Sequence, residues 1–324
     1  MKKITVGLPV YNGANYLAAA IESILGQTCP DFDLVISDNA STDGTAAICR
    51  AYARRDKRIR YIRQPRNIGA AANYNFVAGL CETPYFKWAA HDDLLAPGFL
   101  QACLDALESD PSLVLAMPAT TLVDEAGMPL PYSPERGGIV DRMGVCWPAL
   151  PEQNSDLTSG DPVRRFRAVM LNMFMCVEIF GLMRRPALLR ALPQGSFSGA
   201  DKVFLARMSL LGRFWLGPET LFLRRCHAQQ FSAQVSGAYR AAWFSGRRDS
   251  IFVQQLRLLL AYCRVAAAAE LPLMQRCACL YAVAHRAATR GHQWQRLTGA
   301  VVGLPRQRKY KPALHPIVSQ RGEG

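Results

Sequence analysis

Five short apolar runs separated by helical stretches constrain this chain more than any other feature: KITVGLPV, FDLVISD, RIRYIR, PYFKWAA and SLVLAMPA. Between the first two, Tyr16, Leu17, Ala20, Ile21, Ile24 and Leu25 recur at the three- and four-residue spacing of an amphipathic helix. STDGTAAICRAYARR, AAANYNFVAGL and PGFLQACLDALESD follow the next three runs and read as helices too; in the last, Leu100, Cys103, Leu104 and Leu107 share one face. Strands alternating with helices of this length predict βαβ units and a mostly parallel sheet. Ligands bind such sheets at the carboxyl ends of the strands.

Polar residues gather at those ends. The first run closes on Pro9-Val10-Tyr11-Asn12 and the second on Asp38-Asn39. Asn67-Ile68-Gly69 follows the third, and the fourth leads into Asp92-Asp93. One such residue is no more than a helix cap. Four groups in succession predict a cleft lined by carboxylates and amides. Asp92 and Asp93 pose the sharpest question, because adjacent like charges resist burial. Either they cap the next helix, or a divalent cation or phosphorylated ligand sits beside them.

Further along, residues 127–162 are rich in Pro, Gly and Ser and lack a sustained period, which predicts a long loop and a candidate lid. VEIFGLMRR reads as a return strand, ALLRAL as a helix, SFSGADKVFLARMSLLGRF as a helix opening near Gly199, and TLFLRR as a last strand leading to His227. From Gly237 onward the pattern changes to long helices whose apolar stripes are interrupted by Arg.

Charge separates the two parts. The chain of 324 residues carries a formal net charge of +13, yet residues 237–324 hold 14 Lys and Arg against 3 Asp and Glu. A nearly neutral body with a basic tail fits packing of the tail on the body with a solvated Arg face, or attachment to an anionic membrane surface. No nucleic-acid motif appears, and nucleic acid is not an expected partner. The ten Cys are scattered without metal-ligand spacing and read as reduced thiols of a cytoplasmic protein. Pro9, Asn12 and Gly13 cut the first apolar run too short for a secretion signal. No uncharged run reaches the length of a membrane span.

Six motifs, taken in order, resemble the inverting glycosyltransferases of family 2: TVGLPVYNGANYL, DLVISDNASTDGT, RNIGAAANYN, KWAAHDDLLAP, SGADKVFLARMSLLG and LRRCHAQQFS. The resemblance spans residues 4–232. It implies the GT-A fold, a Rossmann-like α/β architecture whose mixed, mostly parallel sheet is flanked by helices. Residues 1–236 would form the catalytic domain and residues 237–324 a helical extension. The implied activity moves a sugar from a nucleoside-diphosphate sugar to an acceptor hydroxyl, with inversion. A glycan or lipid-linked acceptor of the cell envelope suits a protein peripheral on the inner face of the membrane. The alternatives are a non-catalytic nucleotide-sugar-binding protein and a membrane scaffold of a glycan assembly complex.

The resemblance also implies roles. Pro9, Tyr11, Asn12 and Asp38 would bind the nucleoside, Asn39 beside them, with Asn67, Gly69 and Asn75 under the nucleotide. Asp92 and Asp93 fall on the metal motif, so that Mg²⁺ or Mn²⁺ would neutralise the leaving diphosphate. His227 would join the metal or donate to a phosphate, and Arg225 would pair with phosphate oxygens. Asp201 matches the catalytic base. Three positions depart from the family's usual pattern: Asn39, Ala90 and Ala200 stand where relatives commonly have acids.

Overall fold

The computed structural model describes residues 2–140, 144, 146–148, 154–173, 175–227 and 251–289. Its centre is an eight-stranded sheet of order β3-β2-β1-β4-β10-β6-β11-β5. The first half alternates as expected: β1 (Ile4–Val10), α1 (Leu17–Leu25), β2 (Phe32–Asp38), α2 (Thr45–Arg55), β3 (Ile59–Arg63), α3 (Ala70–Gly79), β4 (Tyr85–Trp88), β5 (Leu94–Leu95), α4 (Phe99–Ser109) and β6 (Leu113–Val123). β1 pairs in parallel with both β2 and β4, so the winding reverses about it and a crevice opens at the strand ends. Every residue of β1 is buried, which is why its sequence is a continuous apolar run rather than an alternating one.

Between β6 and β10 lie three short strands, β7 (Tyr132–Ser133), β8 (Gly138–Val140) and β9 (Cys146–Pro148), which form a separate antiparallel sheet inside the segment expected to be a loop. Two or three residues are too few to display a period of two. Then come a 3₁₀ turn (Ser155–Thr158), α5 (Pro162–Arg167), a π-turn (Ala168–Asn172) and a second 3₁₀ turn (Val177–Phe180). The return strand β10 is only Leu182–Arg184, inserted antiparallel between β4 and β6. Val177–Phe180 does not extend it, because the buried Lys87 ammonium takes the Phe180 carbonyl.

α6 (Arg185–Ala191), α7 (Ala200–Leu211) and β11 (Arg213–Arg225) complete the body. β11 runs parallel to β6, and β5 lies antiparallel along its edge. Trp88 of β4 is fully buried between Phe86 and Phe204, with ring centroids 5.1 Å away in each case. Truncating such a side chain costs about 3–5 kcal/mol. The C-terminal helices α8 (Ile251–Ala267) and α9 (Leu273–Thr289) pack on the body: Leu258, Tyr262, Val265, Cys279 and Val283 continue the same core. The basic tail beyond them lies outside the described residues. All ten cysteines are free.

Candidate active site

Val10 pairs with Asp38, so β1 and β2 end level. The chain turns sharply there, and Asn12 and Ala40 take left-handed conformations at φ 50° and 61°. Such backbone costs L-residues roughly 1–2 kcal/mol and persists only where the surroundings enforce it. The enforcement is visible: Ser41 Oγ accepts the Asn12 N–H at 2.9 Å, and Asn12 Oδ1 accepts the Thr42 N–H at 2.8 Å.

Asp38 is fully buried between these turns. Its Oδ1 accepts the Ser41 N–H and its Oδ2 the Tyr61 hydroxyl, each at 2.8 Å. Burial, then the Asp38 hydrogen bond, raises the Tyr61 phenol above its ordinary value. Asp38 does not cap α2; Asp43 accepts the Thr45 N–H at that helix start. Asn39 bridges to the third strand end. Its Oδ1 accepts the Ile68 N–H at 2.8 Å, and its amide donates to Asn67 Oδ1 at 2.9 Å. Gly69 donates to the same oxygen at 2.8 Å, with φ +85°. A side chain at Gly69 would meet nothing within 4 Å, so glycine is required there by the backbone rather than by space. Pro9 is buried within β1, whereas Tyr11 is 44% exposed at its end and offers an aromatic face. Asn75 lies apart from this network: its amide exchanges two hydrogen bonds of 2.8 Å with the backbone of Gln194, anchoring the segment that leads to α7.

At the end of β4 the two acids diverge. Neither caps α4, which begins at Phe99 behind Gly98. Asp92 Oδ2 lies 3.0 Å from His227 Nε2, joining the β4 and β11 ends. Burial pushes the Asp92 carboxyl up, but the His227 hydrogen bond and the charges of His91 and His227 outweigh it and hold the group below its ordinary value. Asp93 Oδ1 accepts the Arg225 N–H at 3.0 Å, and burial with the neighbouring Asp92 charge pushes its carboxyl up to about 7. The repulsion between adjacent acids is thus relieved by opposite assignments: one favours its charged form and the other its proton.

Arg225 is buried and tied to backbone. Its Nε donates to the Asp92 carbonyl at 2.8 Å, and its Nη1 to the Asp124 and Glu125 carbonyls. Tyr16 was legible in the sequence only as part of an apolar helix face. Its ring lies 4.7 Å from that of His227 and 4.9 Å from the Arg225 guanidinium, holding both. His91 packs on the backbone of Gly13, where a Cβ would come within 2.5 Å of its ring. This contact ties the first motif to the fourth and explains the glycine.

Asp201 stands in the first turn of α7, behind Gly199 at φ +88°, and accepts the Lys202 N–H at 2.8 Å. Phe204, three residues on and on the same helix face, is the ring that packs on Trp88. That contact packs α7 on β4, the strand that leads to Asp92. The Cys176 thiol stands beside Asp201; burial, then the Asp201 charge, raises it well above its ordinary value.

A divalent cation fits part of this arrangement. Among the described residues no three His, Cys, Asp or Glu side chains form a metal cage. Mg²⁺ and Mn²⁺ seldom need one, since one or two protein ligands plus substrate phosphates and water suffice. Asp92 Oδ2 and His227 Nε2, 3.0 Å apart, are the two donors that could share an ion; His227 Nδ1, buried without a hydrogen-bond partner among the described residues, is on the other side of the ring. Asp93, whose Oδ1 accepts the Arg225 N–H, is the further carboxylate beside that pair.

Comparison with known proteins gives these features a setting. The family model described as Glycosyl transferase family 2 matches residues 5–190. Chondroitin synthase of Escherichia coli is 32% identical over 124 residues, which is 38% of this chain and 18% of that protein. Glycosyltransferase GlyG of Streptococcus pneumoniae is 29% identical over 113 residues, 35% of this chain and 38% of that protein. The chain therefore spans well under half the length of either relative. Among solved structures, S. aureus TarS 1-349 in complex with UDP-GlcNAc superposes with a TM-score of 0.61 at 15% identity, covering 94% of this chain and 76% of that one. The mannosyltransferase PcManGT of Pyrobaculum calidifontis, in complex with GDP-Man and Mn²⁺, gives a TM-score of 0.52 at 17% identity, covering 94% and 81%. At such identities the likeness is one of fold.

Proposed function

The chain belongs to glycosyl transferase family 2, and from that premise we propose that it is an inverting glycosyltransferase that moves a sugar from a nucleoside-diphosphate sugar to an acceptor hydroxyl. The observation that supports the reading is the meeting of Asp92 with His227 where β4 and β11 end; α7, which carries Asp201, packs on β4 through the Trp88–Phe204 contact.

The nucleoside would lie against the β1 and β2 ends, with its base on the exposed Tyr11 face and its ribose near Asn12 and the Asp38 turn. Asn67 and Gly69 shape the neighbouring wall. Asp92 and His227 would hold Mg²⁺ or Mn²⁺, which would supply charge neutralisation for the leaving diphosphate. Asp201 takes the proton from the acceptor hydroxyl as that oxygen bonds to the anomeric carbon. The bond from anomeric carbon to phosphate oxygen breaks on the opposite face, and the nucleoside diphosphate leaves with the electron pair. Attack from the face opposite the leaving diphosphate inverts the centre. Arg225 and Tyr16 keep the His227 ring in register.

A glycan acceptor of the cell envelope, lipid-linked or polymeric, is supported by the name of the chondroitin synthase relative and by the C-terminal helices. No helix among the described residues is long and apolar enough to cross a membrane. Leu256 and Leu260 of α8 and Leu273, Met274 and Tyr281 of α9 are nonetheless exposed, in a region whose charge is strongly positive. An anionic bilayer surface, reached from the cytoplasmic side, suits that pairing of apolar and basic groups. Flotation with anionic liposomes at low salt should carry the full chain upward; a protein left in the soluble fraction removes this part of the reading.

The principal test is a thermal-shift panel of nucleotide sugars with Mn²⁺, followed by donor turnover. A bound donor raises the melting temperature. A protein that binds donor but never turns it over is a nucleotide-sugar-binding protein, and one that binds no donor is outside this chemistry.

A further inference from the structure

We propose that the surface formed by α2 and the edge strand β3 docks an anionic glycan chain, a site outside the cleft that holds a polymeric acceptor. The choice of a glycan rests on the glycosyltransferase reading, and the demand for an anion rests on the charge of the surface itself.

Residues 50–66, RAYARRDKRIRYIRQPR, hold eight Lys and Arg against one acid. The rest of residues 1–236 holds 16 against 21, so the nearly neutral body is an acidic one with a single basic region. The one acid, Asp56, is taken by Arg58, whose Nη2 donates to Oδ2 at 2.7 Å and whose Nε donates to Oδ1 at 3.1 Å. The other seven cations are exposed. Arg50, Arg54 and Arg55 stand on α2, and Lys57 follows on the turn behind it. Arg60 and Arg63 lie on β3, and Arg66 immediately precedes Asn67 of the cleft wall. Of the seven, Arg63 alone makes a hydrogen bond or ion pair among the described residues. Its Nη2 donates to the Ser41 carbonyl at 2.9 Å, and its Nε lies 3.9 Å from Asp38 Oδ2. The cationic run therefore reaches the second strand end of the cleft.

Like charges gathered this closely repel one another and cost stability. Two structural roles account for part of them. Arg54 and Arg55 complement the dipole at the end of α2. Charges on β3, outermost in the sheet and paired only with β2 among the described residues, discourage strand addition. Neither role calls for Arg50, Lys57 and Arg66, nor for a continuous run. Six of the seven exposed cations are Arg, whose planar fork binds carboxylate and phosphate at two points. The surface lacks what a bilayer or a nucleic acid would use. No large apolar side chain is exposed on α2 or β3, in contrast to α8 and α9. Tyr52 and Tyr61 are half-buried with their hydroxyls bonded to Glu22 and Asp38, and so provide no stacking platform. Arg60 and Arg63, three residues apart, leave β3 on opposite sides of the sheet. Cations set around an edge suit a flexible chain rather than a plane.

Hyaluronan fragments and polygalacturonate serve as probes and neutral dextran as the control, titrated onto the full chain without nucleotide sugar at low and at physiological salt. Both polyanions should bind, more weakly as salt rises, and dextran should not. A variant combining Arg50→Gln, Arg54→Gln, Arg55→Gln and Arg60→Gln removes four exposed cations and should bind the polyanions at least about tenfold more weakly. Its melting temperature, and its turnover with a small neutral acceptor, should stay at wild-type values, since these side chains belong to neither the core nor the cleft. Undiminished binding by the variant would assign the polymers to the basic tail and overturn the proposal. Absence of binding by the wild type would do the same, as would tighter binding of anionic vesicles or single-stranded DNA than of either glycan. A variant that aggregates while its monomeric fraction keeps full glycan affinity would reduce the cations to guards of the sheet edge and also overturn it. A wild type that turns over a donor but ignores the glycans removes this inference and leaves the glycosyltransferase reading standing. Glycan binding by a chain that binds no donor removes that reading and leaves the docking surface.

Discussion

Along one edge of the sheet, at the ends of β1, β2 and β3, the polar side chains are bonded within the protein, buried or exposed. Asp38 holds Ser41 and Tyr61, Asn39 holds Ile68 and Asn67, and Asn12 holds Thr42. Along the neighbouring edge, where β4 and β11 end and β10 begins, His227 Nδ1 and Glu178 Oε2 are buried without hydrogen-bond partners among the described residues. Lys87 lies fully buried there as well, between the rings of Phe99 and Phe222 at 4.4 and 5.4 Å. The first edge is finished by folding; on the proposed function the second is completed by a ligand. Proteins accept such local costs where function requires them. Substitutions on the first edge should therefore reduce stability, and those on the second should reduce turnover while sparing stability.

Asp201→Asn gives the largest effect. Loss of a general base lowers transfer by roughly 10²–10⁴-fold, while donor affinity stays within about twofold and the melting temperature moves little. Unchanged turnover would remove Asp201 from the mechanism. Next in size are Asp92→Asn and His227→Gln, each expected to lower activity about 10–100-fold by weakening the metal site. Their sharper readout is the Mn²⁺-induced rise in melting temperature, which should shrink in both variants. A full Mn²⁺ shift in either one would place the metal elsewhere.

These sites were unequally legible in the sequence. The βαβ half followed from apolar periodicity, since long buried strands and amphipathic helices carry strong local patterns. The strand-end clusters followed too, because strand order in a parallel sheet brings consecutive ends to one edge. The division of labour between Asp92 and Asp93 could not follow, because it depends on His227 and Arg225, more than 130 residues away. Tyr16 was hidden for a related reason: an aromatic residue at a helix start reads as packing, and its partners arrive only with β11. The turn Val177–Phe180 was hidden within a run read as a strand. No local pattern announces that a distant buried lysine will take the Phe180 carbonyl.

Lys87 gives a pH-dependent form of the comparison. Burial, the largest influence, depresses its ammonium from 10.5 to about 7. Between those values the unfolded chain binds a proton that the folded chain does not, so stability rises with pH across the window. The contribution is present above 10.5 and lost as pH falls through about 7. Lys87→Met removes the group, so the difference in unfolding free energy between the two proteins should change by up to about 1.4 kcal/mol per pH unit from pH 7.5 to 9. Near pH 7 the variant should be no less stable, since replacing a buried charge by an apolar side chain is often neutral or better. Parallel stability curves would show that the cation is not a cost of this edge.

Asn75→Ala gives the smallest effect and tests the boundary between the two edges. By its motif Asn75 is a nucleotide-side residue, yet both ends of its amide are engaged by the Gln194 backbone. Losing the pair should cost about 1–2 kcal/mol, seen as a melting temperature lower by roughly 2–4 °C for a chain of this size. Affinity for the free nucleoside diphosphate should stay within about twofold, because the side chain holds the approach to α7 rather than the ligand. Turnover should fall modestly, through a less firmly held Asp201. A large loss of diphosphate affinity with unchanged stability would return Asn75 to the nucleotide and move the boundary to α3.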